Sequence, residues 1–296
     1  MGNEFPTMIL YEDHVPKTEL HSAPEALLWY WIRERHNIYI RRMNGLSKPW
    51  TVDPILRDYR FTNPFRENDQ GTVWLRENFL VPHWSDPLEL IAFNICWYRM
   101  FNWTGTGERL GWQTNWDHEN IKRILTCTLA RKEKVFTSAH IVRSVFGMPK
   151  VDSIVDVCTD LWRVRHSIVD EARNSFSLRS VYYQLLTISY IGPFMAYEMV
   201  TDMRHTRILN DAVDIMTWAN AGPGAMRGLQ RLGLPFSPEE EATGSMRALL
   251  ERSAIHLDGL PDFEMRDIEH SLCEFDKYCR VKFSEGRPRG RYPGAA

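Results

Sequence analysis

An all-α fold in two helical lobes is what this sequence predicts, and three observations carry the prediction. Runs that alternate apolar and polar residues are few, so strands have little to form from. Apolar residues recur instead at helical spacing, as at Leu28, Trp31 and Ile32. Between such stretches lie proline, glycine and capping residues that start and stop helices. The 296 residues, 44% apolar and 25% charged, suffice for one large domain or two intimate lobes. The expected division is an arm over 1–24, a helical domain over 25–285 and a basic tail over 286–296. Within the domain, one lobe joins about 25–125 to 225–285 and the other takes 126–224.

The elements follow in order. Ser22-Ala-Pro24-Glu25 places a cap, a proline in the first turn and an acid at the positive helix end, so a helix runs from Glu25 to about Arg42. Pro49-Trp-Thr-Val-Asp-Pro54 is a loop that caps the next helix, and Pro64 breaks the chain again. Asp86-Pro87 opens a strongly apolar helix to about Met100, followed by a Trp/Gly-rich connection, FNWTGTGERLGW. Asn115-Trp-Asp-His-Glu119 starts a helix reaching about Lys134, and further helices are expected near 152–168 and 177–190. A hairpin at 191–194 leads into a helix through about 203. Ala221-Gly-Pro-Gly224 stops one segment before a helix from Ala225, Ser237-Pro-Glu-Glu-Glu opens the next, and the last begins near Asp262. The tail, SEGRPRGRYPGAA, reads as a basic, mobile end.

Composition excludes some classes. A net charge of −2 argues against a bulk polycation, so any nucleic-acid footprint must be local. No run of about 18 apolar residues exists and the start lacks a basic segment followed by an apolar one, so no membrane partner is expected. Five scattered cysteines without zinc spacing suggest a reduced, cytoplasmic protein with no structural metal. Eleven tryptophans suit wide helical interfaces.

Four stretches could carry chemistry. In TISYIGPFMAYEMVTD, the turn Ile191-Gly192-Pro193-Phe194 leaves backbone bare at Gly192, where a DNA phosphate could meet N–H groups and the next helix N-terminus. A plain helix stop is the alternative, and the same turn could hold a monovalent cation on carbonyl oxygens. Downstream, Asp214 and then Asp202 are candidate acids to orient or deprotonate an attacking group, unless they cap helices. Gly222-Pro-Gly224 with Arg227 is a second backbone-rich helix start suited to pyrophosphate, or a plain helix-to-helix turn. In DIEHSLCEFDKY, His270, Glu274 and Tyr278 form one i,i+4 row, with Lys277 three beyond Glu274 and Glu269 in the neighbouring row. This is either a general base with a charge partner or a salt-bridged face. Lastly, Arg57, Arg60 and Arg66 alternate with Tyr59, Phe61 and Phe65, as expected where phosphates and bases are gripped, with pairing to Asp53 or Asp69 as the structural alternative.

The order of apolar helix, Ile-Gly-Pro turn, second helix and later acid resembles the working part of helix-hairpin-helix DNA glycosylases. A narrower resemblance spans roughly 30–285. ERHNIYIRRMNGLSKPWTVDPILRDYRFTNPFREND looks like the N-terminal block of the phage α-glutamyl/putrescinyl-thymine pyrophosphorylases, or amino acid:DNA transferases. IGPFMAYEMVTD, DIMTWANAGPGAMRGL and DIEHSLCEFDKY resemble later blocks. The helical block looks similar in 5-hydroxymethyluracil DNA kinases.

That resemblance implies a glycosylase-like scaffold acting on double-stranded DNA in the cytoplasm of an infected bacterium. A pyrophosphorylated 5-hydroxymethyluracil would lose pyrophosphate as the amine of a free amino acid or polyamine attacks its methylene carbon. The base would be Asp214 or Asp202, with Glu269 or His270 as alternatives. Arg227 with the GPG turn, or the Arg57/Arg60/Arg66 group, would receive the pyrophosphate. Two other readings stay open: a glycosylase without lyase chemistry, since Phe194 and Met195 stand where a lysine would, and a DNA-binding module without catalysis.

Overall fold

The computed structural model describes residues 24–137, 142, 144–286, 288 and 290–292. The expected arm lies outside the described residues except for Pro24, as do Arg287 and Arg289 of the basic tail. Among the described residues the chain is all-α, with twelve α-helices and one isolated antiparallel bridge, Tyr59 to Arg291. The helices are α1 (Pro24–Met43), α2 (Pro54–Asp58), α3 (Gln70–Leu75), α4 (Leu88–Phe101), α5 (Thr104–Leu110), α6 (His118–Ala130), α7 (Lys150–Ser175), α8 (Leu178–Leu186), α9 (Pro193–Met203), α10 (Pro223–Arg231), α11 (Glu239–His256) and α12 (Met265–Lys282). Among the described residues, no helix is long and apolar enough to cross a membrane.

The chain divides into two compact units, Met1–Asp69 with Met216–Ala296, and Gln70–Ile215. One lobe is discontinuous, but the divisions fall near 69 and 215 instead of 125 and 224. The reason is α4. Every residue from Ile91 to Phe101 is buried, and a helix apolar all round must be covered on every side. α7, α9 and α5 do this, so α4 belongs with them.

In the Gln70–Ile215 unit, Trp97 and Trp116 are core, whereas Trp84 is exposed. Trp74 stacks on Tyr98 at 5.1 Å, and Trp97 and Trp116 flank Phe93 and Phe101. The stretch expected as a connection after α4 contains α5 instead. Its Gly107 is there for close approach, since a Cβ would stand 2.3 Å from the Trp74 ring. Gly107, in a stretch expected as a connection, is here a helix-packing residue.

In the other unit, α12 is central. α10 lies directly on it because Gly224 and Gly228 carry no side chain. A Cβ on Gly224 would meet Cys273 Sγ at 2.3 Å, and one on Gly228 the Leu272 carbonyl oxygen at 2.5 Å. α1 contributes buried Leu28, Trp31 and Ile32. Within the tail expected to be mobile, Arg60 N–H donates to the Gly290 carbonyl and Tyr292 N–H to the Asp58 carbonyl. Those residues are tied to the stretch after α2.

Candidate functional site

The hairpin forms as its sequence suggests. α8 buries Val181, Tyr182 and Leu185, then closes through N–H bonds from Thr187 and Ile188 to the carbonyls of Gln184 and Leu185, both 3.1 Å. Ile188 and Ile191 are buried and pin the turn, so Ile191 is an anchor and not a surface contact. Gly192 precedes α9 in extended conformation, Pro193 fills the first turn, and no side chain caps the helix. A Cβ on Gly192 would meet nothing within 4 Å. The bare backbone therefore answers to no neighbour in the fold and leaves an approach open from outside. Tyr190 and Phe194 flank it, 55% and 49% exposed.

The acids downstream of the hairpin are engaged. Asp214 holds the start of α8: its carboxylate accepts from Ser177 Oγ (2.7 Å), Leu178 N (2.8 Å) and Arg179 N (2.9 Å). This is the capping alternative. Asp202 is fully buried and binds Arg99 through both oxygens, with Arg99 Nη2 at 2.7 Å from Oδ1 and Arg99 Nε on Oδ2. Thr72 Oγ1, Asn102 Oδ1 and Glu198 complete the surroundings of Arg99. Asp202 is thus closed off by Arg99, while Asp214, only part-buried, gives its carboxylate to three donors at the α8 start.

The GPG turn is likewise used from within. Gly222 N–H points to Glu269 Oε1 at 3.4 Å, so a carboxylate of the chain itself faces this helix start. Gly224 serves the contact with α12. Arg227 donates to Asp276 Oδ2 at 2.8 Å, beside Arg231 on Oδ1, although half of the Arg227 side chain remains exposed. An incoming pyrophosphate would have to displace Glu269, so this geometry does not favour the pyrophosphate assignment to Gly222, Gly224 and Arg227.

The basic-aromatic stretch also divides. Tyr59, Phe61 and Phe65 are core, and Arg66 is buried and cannot reach a phosphate in this conformation. Arg57, paired with Asp58, and Arg60, over the Tyr292 ring at 5.5 Å, are exposed. Asp53 is committed elsewhere: it caps α2 and accepts from Tyr278 Oη (2.7 Å) and Tyr30 Oη (3.2 Å).

What remains is a titratable cluster that joins two motifs some two hundred residues apart. The stretch Phe61–Asp69 lies along α12. Thr62 N–H donates to Glu274 Oε2 (3.0 Å), Arg66 N–H to Asp267 Oδ1 (3.4 Å), and Arg266 pairs with Glu67 (3.2 Å). Arg35 holds the other side of the stretch through two bonds to the Phe61 carbonyl, 3.1 and 3.0 Å. On this frame His270 Nε2 stands 3.3 Å from Asp69 Oδ2, an ion-pair contact out of line for a good hydrogen bond. Lys277 Nζ sits 2.8 Å from Glu274 Oε2 and 4.7 Å above the Phe61 ring.

Burial, the largest influence on His270, works against its charge. Asp69, with help from Glu274, outweighs burial and the repulsion of Arg66, so the imidazole is raised above its ordinary value. Burial pushes Asp267 up to about 6 and the Cys273 thiol, beside Glu269 and Glu274, up to about 12. The cluster thus holds one imidazole of raised basicity, one lysine and several carboxylates. The i,i+4 row was visible in sequence; Asp69, the partner that tunes it, was not.

The chain is similar to a known protein and to a known family. A 5-hmdU DNA kinase of Bacillus phage SP10 is 27% identical over 298 residues, covering 88% of this chain and 46% of that protein. The chain therefore spans less than half the length of that relative. No solved structure matches. The family described as "5-hmdU DNA kinase, helical domain" matches residues 24–287, close to the whole described fold. By that match, this chain belongs to the 5-hmdU DNA kinase helical-domain family.

Proposed function

We propose that this chain hypermodifies bases in phage DNA within the infected host cell, transferring an amino acid or polyamine onto 5-pyrophosphoryloxymethyl-deoxyuridine. The observation that carries this reading is His270, the titratable candidate whose ring faces Asp69 at 3.3 Å without a well-aligned hydrogen bond, with Glu274 and Lys277 beside it on α12. The amine nitrogen forms a bond to the methylene carbon, the carbon–oxygen bond breaks, and pyrophosphate leaves with the electron pair. The amine proton passes to His270. Asp202 and Asp214, engaged as described, drop out of the base role. Exposed Arg57 and Arg60 are better placed for phosphates than Arg66. The hairpin at Gly192, with any monovalent ion on its carbonyl groups, grips the duplex backbone.

A second reading has its own support. The relative is a kinase of more than twice the matched length, and this chain carries no Gly-x4-Gly-Lys-Ser/Thr phosphate loop. The helical fold would then present modified DNA to a phosphorylating partner domain. A glycosylase reading is disfavoured, since the two acids after the hairpin are both engaged.

The test is a nucleoside mass spectrum after incubating duplex DNA that carries the pyrophosphorylated base with the protein and mixed amines. A base bearing an amine supports the transferase. Unchanged DNA with a retained gel shift supports the presenting module, and an abasic site supports the glycosylase.

A further inference from the structure

After α1 the chain makes a loop that is fixed at several points and yet turns apolar side chains outward. Leu46 N–H donates to the Arg41 carbonyl (3.0 Å) and Gly45, at φ +74°, to the Arg42 carbonyl (3.1 Å). Trp50 Nε1 donates back to the Leu46 carbonyl (2.7 Å), and Arg41 ties the Trp50 carbonyl (2.6 Å) to Glu34 (2.9 Å). Thr51 and Asp53 are buried beneath. These bonds leave the loop little freedom to fold its apolar residues inward. Met43 is 57% exposed, Leu46 49% and Val52 88%.

Within the loop itself the charge has one sign, with Glu34 and Asp53 lying at its base. From 41 to 52 the charged residues are Arg41, Arg42 and Lys48, with no acid, in a chain of net charge −2. Arg41 is spent on Glu34. Arg42 is exposed, and Lys48 lies 5.0 Å over the Trp50 ring. A second copy meeting this patch about a twofold axis would set cation against cation, which disfavours self-association. An apolar tip between two cations instead matches a polyanion with an apolar interior between two charged edges, which is a DNA groove.

We infer that the loop 43–52 is a wedge for duplex DNA: Leu46 and Val52 enter against the base steps while Arg42 and Lys48 neutralise the flanking phosphates. This rests on the reading that the chain acts on DNA, and it adds a contact in a different unit from the hairpin.

The experiment uses the full chain and a short duplex carrying 5-hydroxymethyluracil next to 2-aminopurine, whose fluorescence rises on unstacking. The wild-type chain is expected to raise that fluorescence. Leu46→Ser with Val52→Ser should abolish the rise and weaken binding at least about tenfold, the worth of burying one aliphatic side chain. Both positions are exposed, so the fold should survive. Arg42→Gln with Lys48→Gln should make the salt dependence of log affinity shallower by about two. Wild-type affinity and fluorescence in the Leu46/Val52 variant would overturn the inference. So would a wild-type dimer that this variant converts to monomer, or vesicle binding lost in it while duplex affinity stands. If DNA binds through the loop but no amine is transferred, the wedge stands and the transfer reading falls. If transfer proceeds and the variants bind normally, the wedge alone falls.

Discussion

Arg99, a guanidinium, and His270, a titratable imidazole, are both paired with aspartate inside helical layers, one in each unit, and their surroundings differ in one respect. Around Arg99 the partners close on every side: both oxygens of Asp202, Thr72, Asn102 and Glu198, nearly all out of water. Around His270 they are unequal. Asp69 faces one nitrogen, Arg66 opposes it and Glu274 favours it, while the ring keeps a margin of exposure. A closed, bidentate pair has no capacity left to exchange a proton. An unevenly supported imidazole at the edge of solvent does. Burial and charge alone therefore do not mark a catalytic group; the residual capacity of its atoms does.

The largest effect should come from breaking the closed network. Asp202→Ala leaves Arg99 buried without its carboxylate and should cost about 3–5 kcal/mol of stability. Urea denaturation measures this, and a loss well under 1 kcal/mol would mean that the pair is no structural keystone. On the open side, His270→Gln should leave stability nearly intact at alkaline pH and lower amine transfer about 10²–10⁴-fold, the usual contribution of a positioned proton acceptor. Transfer at the wild-type rate would remove His270 from the chemistry.

Next in size is Gly228→Ala. A methyl group added inside a helix ordinarily helps, but here it meets the Leu272 carbonyl oxygen at 2.5 Å, which cannot swing aside. A loss of about 1–3 kcal/mol is expected in a melting experiment. No loss would mean that α10 is free to shift on α12. Asp214→Ala should cost about 1 kcal/mol by uncapping α8 and leave transfer unchanged. A collapse of transfer without loss of stability would return Asp214 to the catalytic list.

These contrasts also mark what was legible in the sequence. The helix order was, because caps, prolines and apolar spacing are local; so was the His270–Glu274 row, because i,i+4 geometry is local. Partners fixed by tertiary packing were not. For Asp214 the sequence leaves acid and helix cap both open, since the α8 start that it caps lies 36 residues earlier. Arg66 looked like a surface cation, since alternation with aromatics does not tell a DNA grip from a stretch laid down with its aromatics in the core. FNWTGTGERLGW looked like a connection, because the Trp74 ring that explains Gly107 is 33 positions away. The Asp69–His270 pair had no sequence signal beyond its two residues standing in two suspicious motifs.

The smallest change tests that pair most sharply. Asp69→Asn keeps the size of the side chain and removes the charge that outweighs burial at His270. In the wild-type protein the His270 midpoint, read by NMR and assigned with His270→Gln, should lie above 6.5; in Asp69→Asn it should fall below 6.5. The sign carries through to stability. A histidine raised on folding contributes stability that is complete below its unfolded value and is lost as pH rises through the folded one, so Asp69→Asn should weaken the fold at acidic pH and little at alkaline pH. It carries through to rate in the opposite direction. If His270 accepts the amine proton, transfer falls as pH drops through its midpoint, and Asp69→Asn should move that fall to lower pH. A histidine that only braces the fold would show the stability change without any movement of the rate profile.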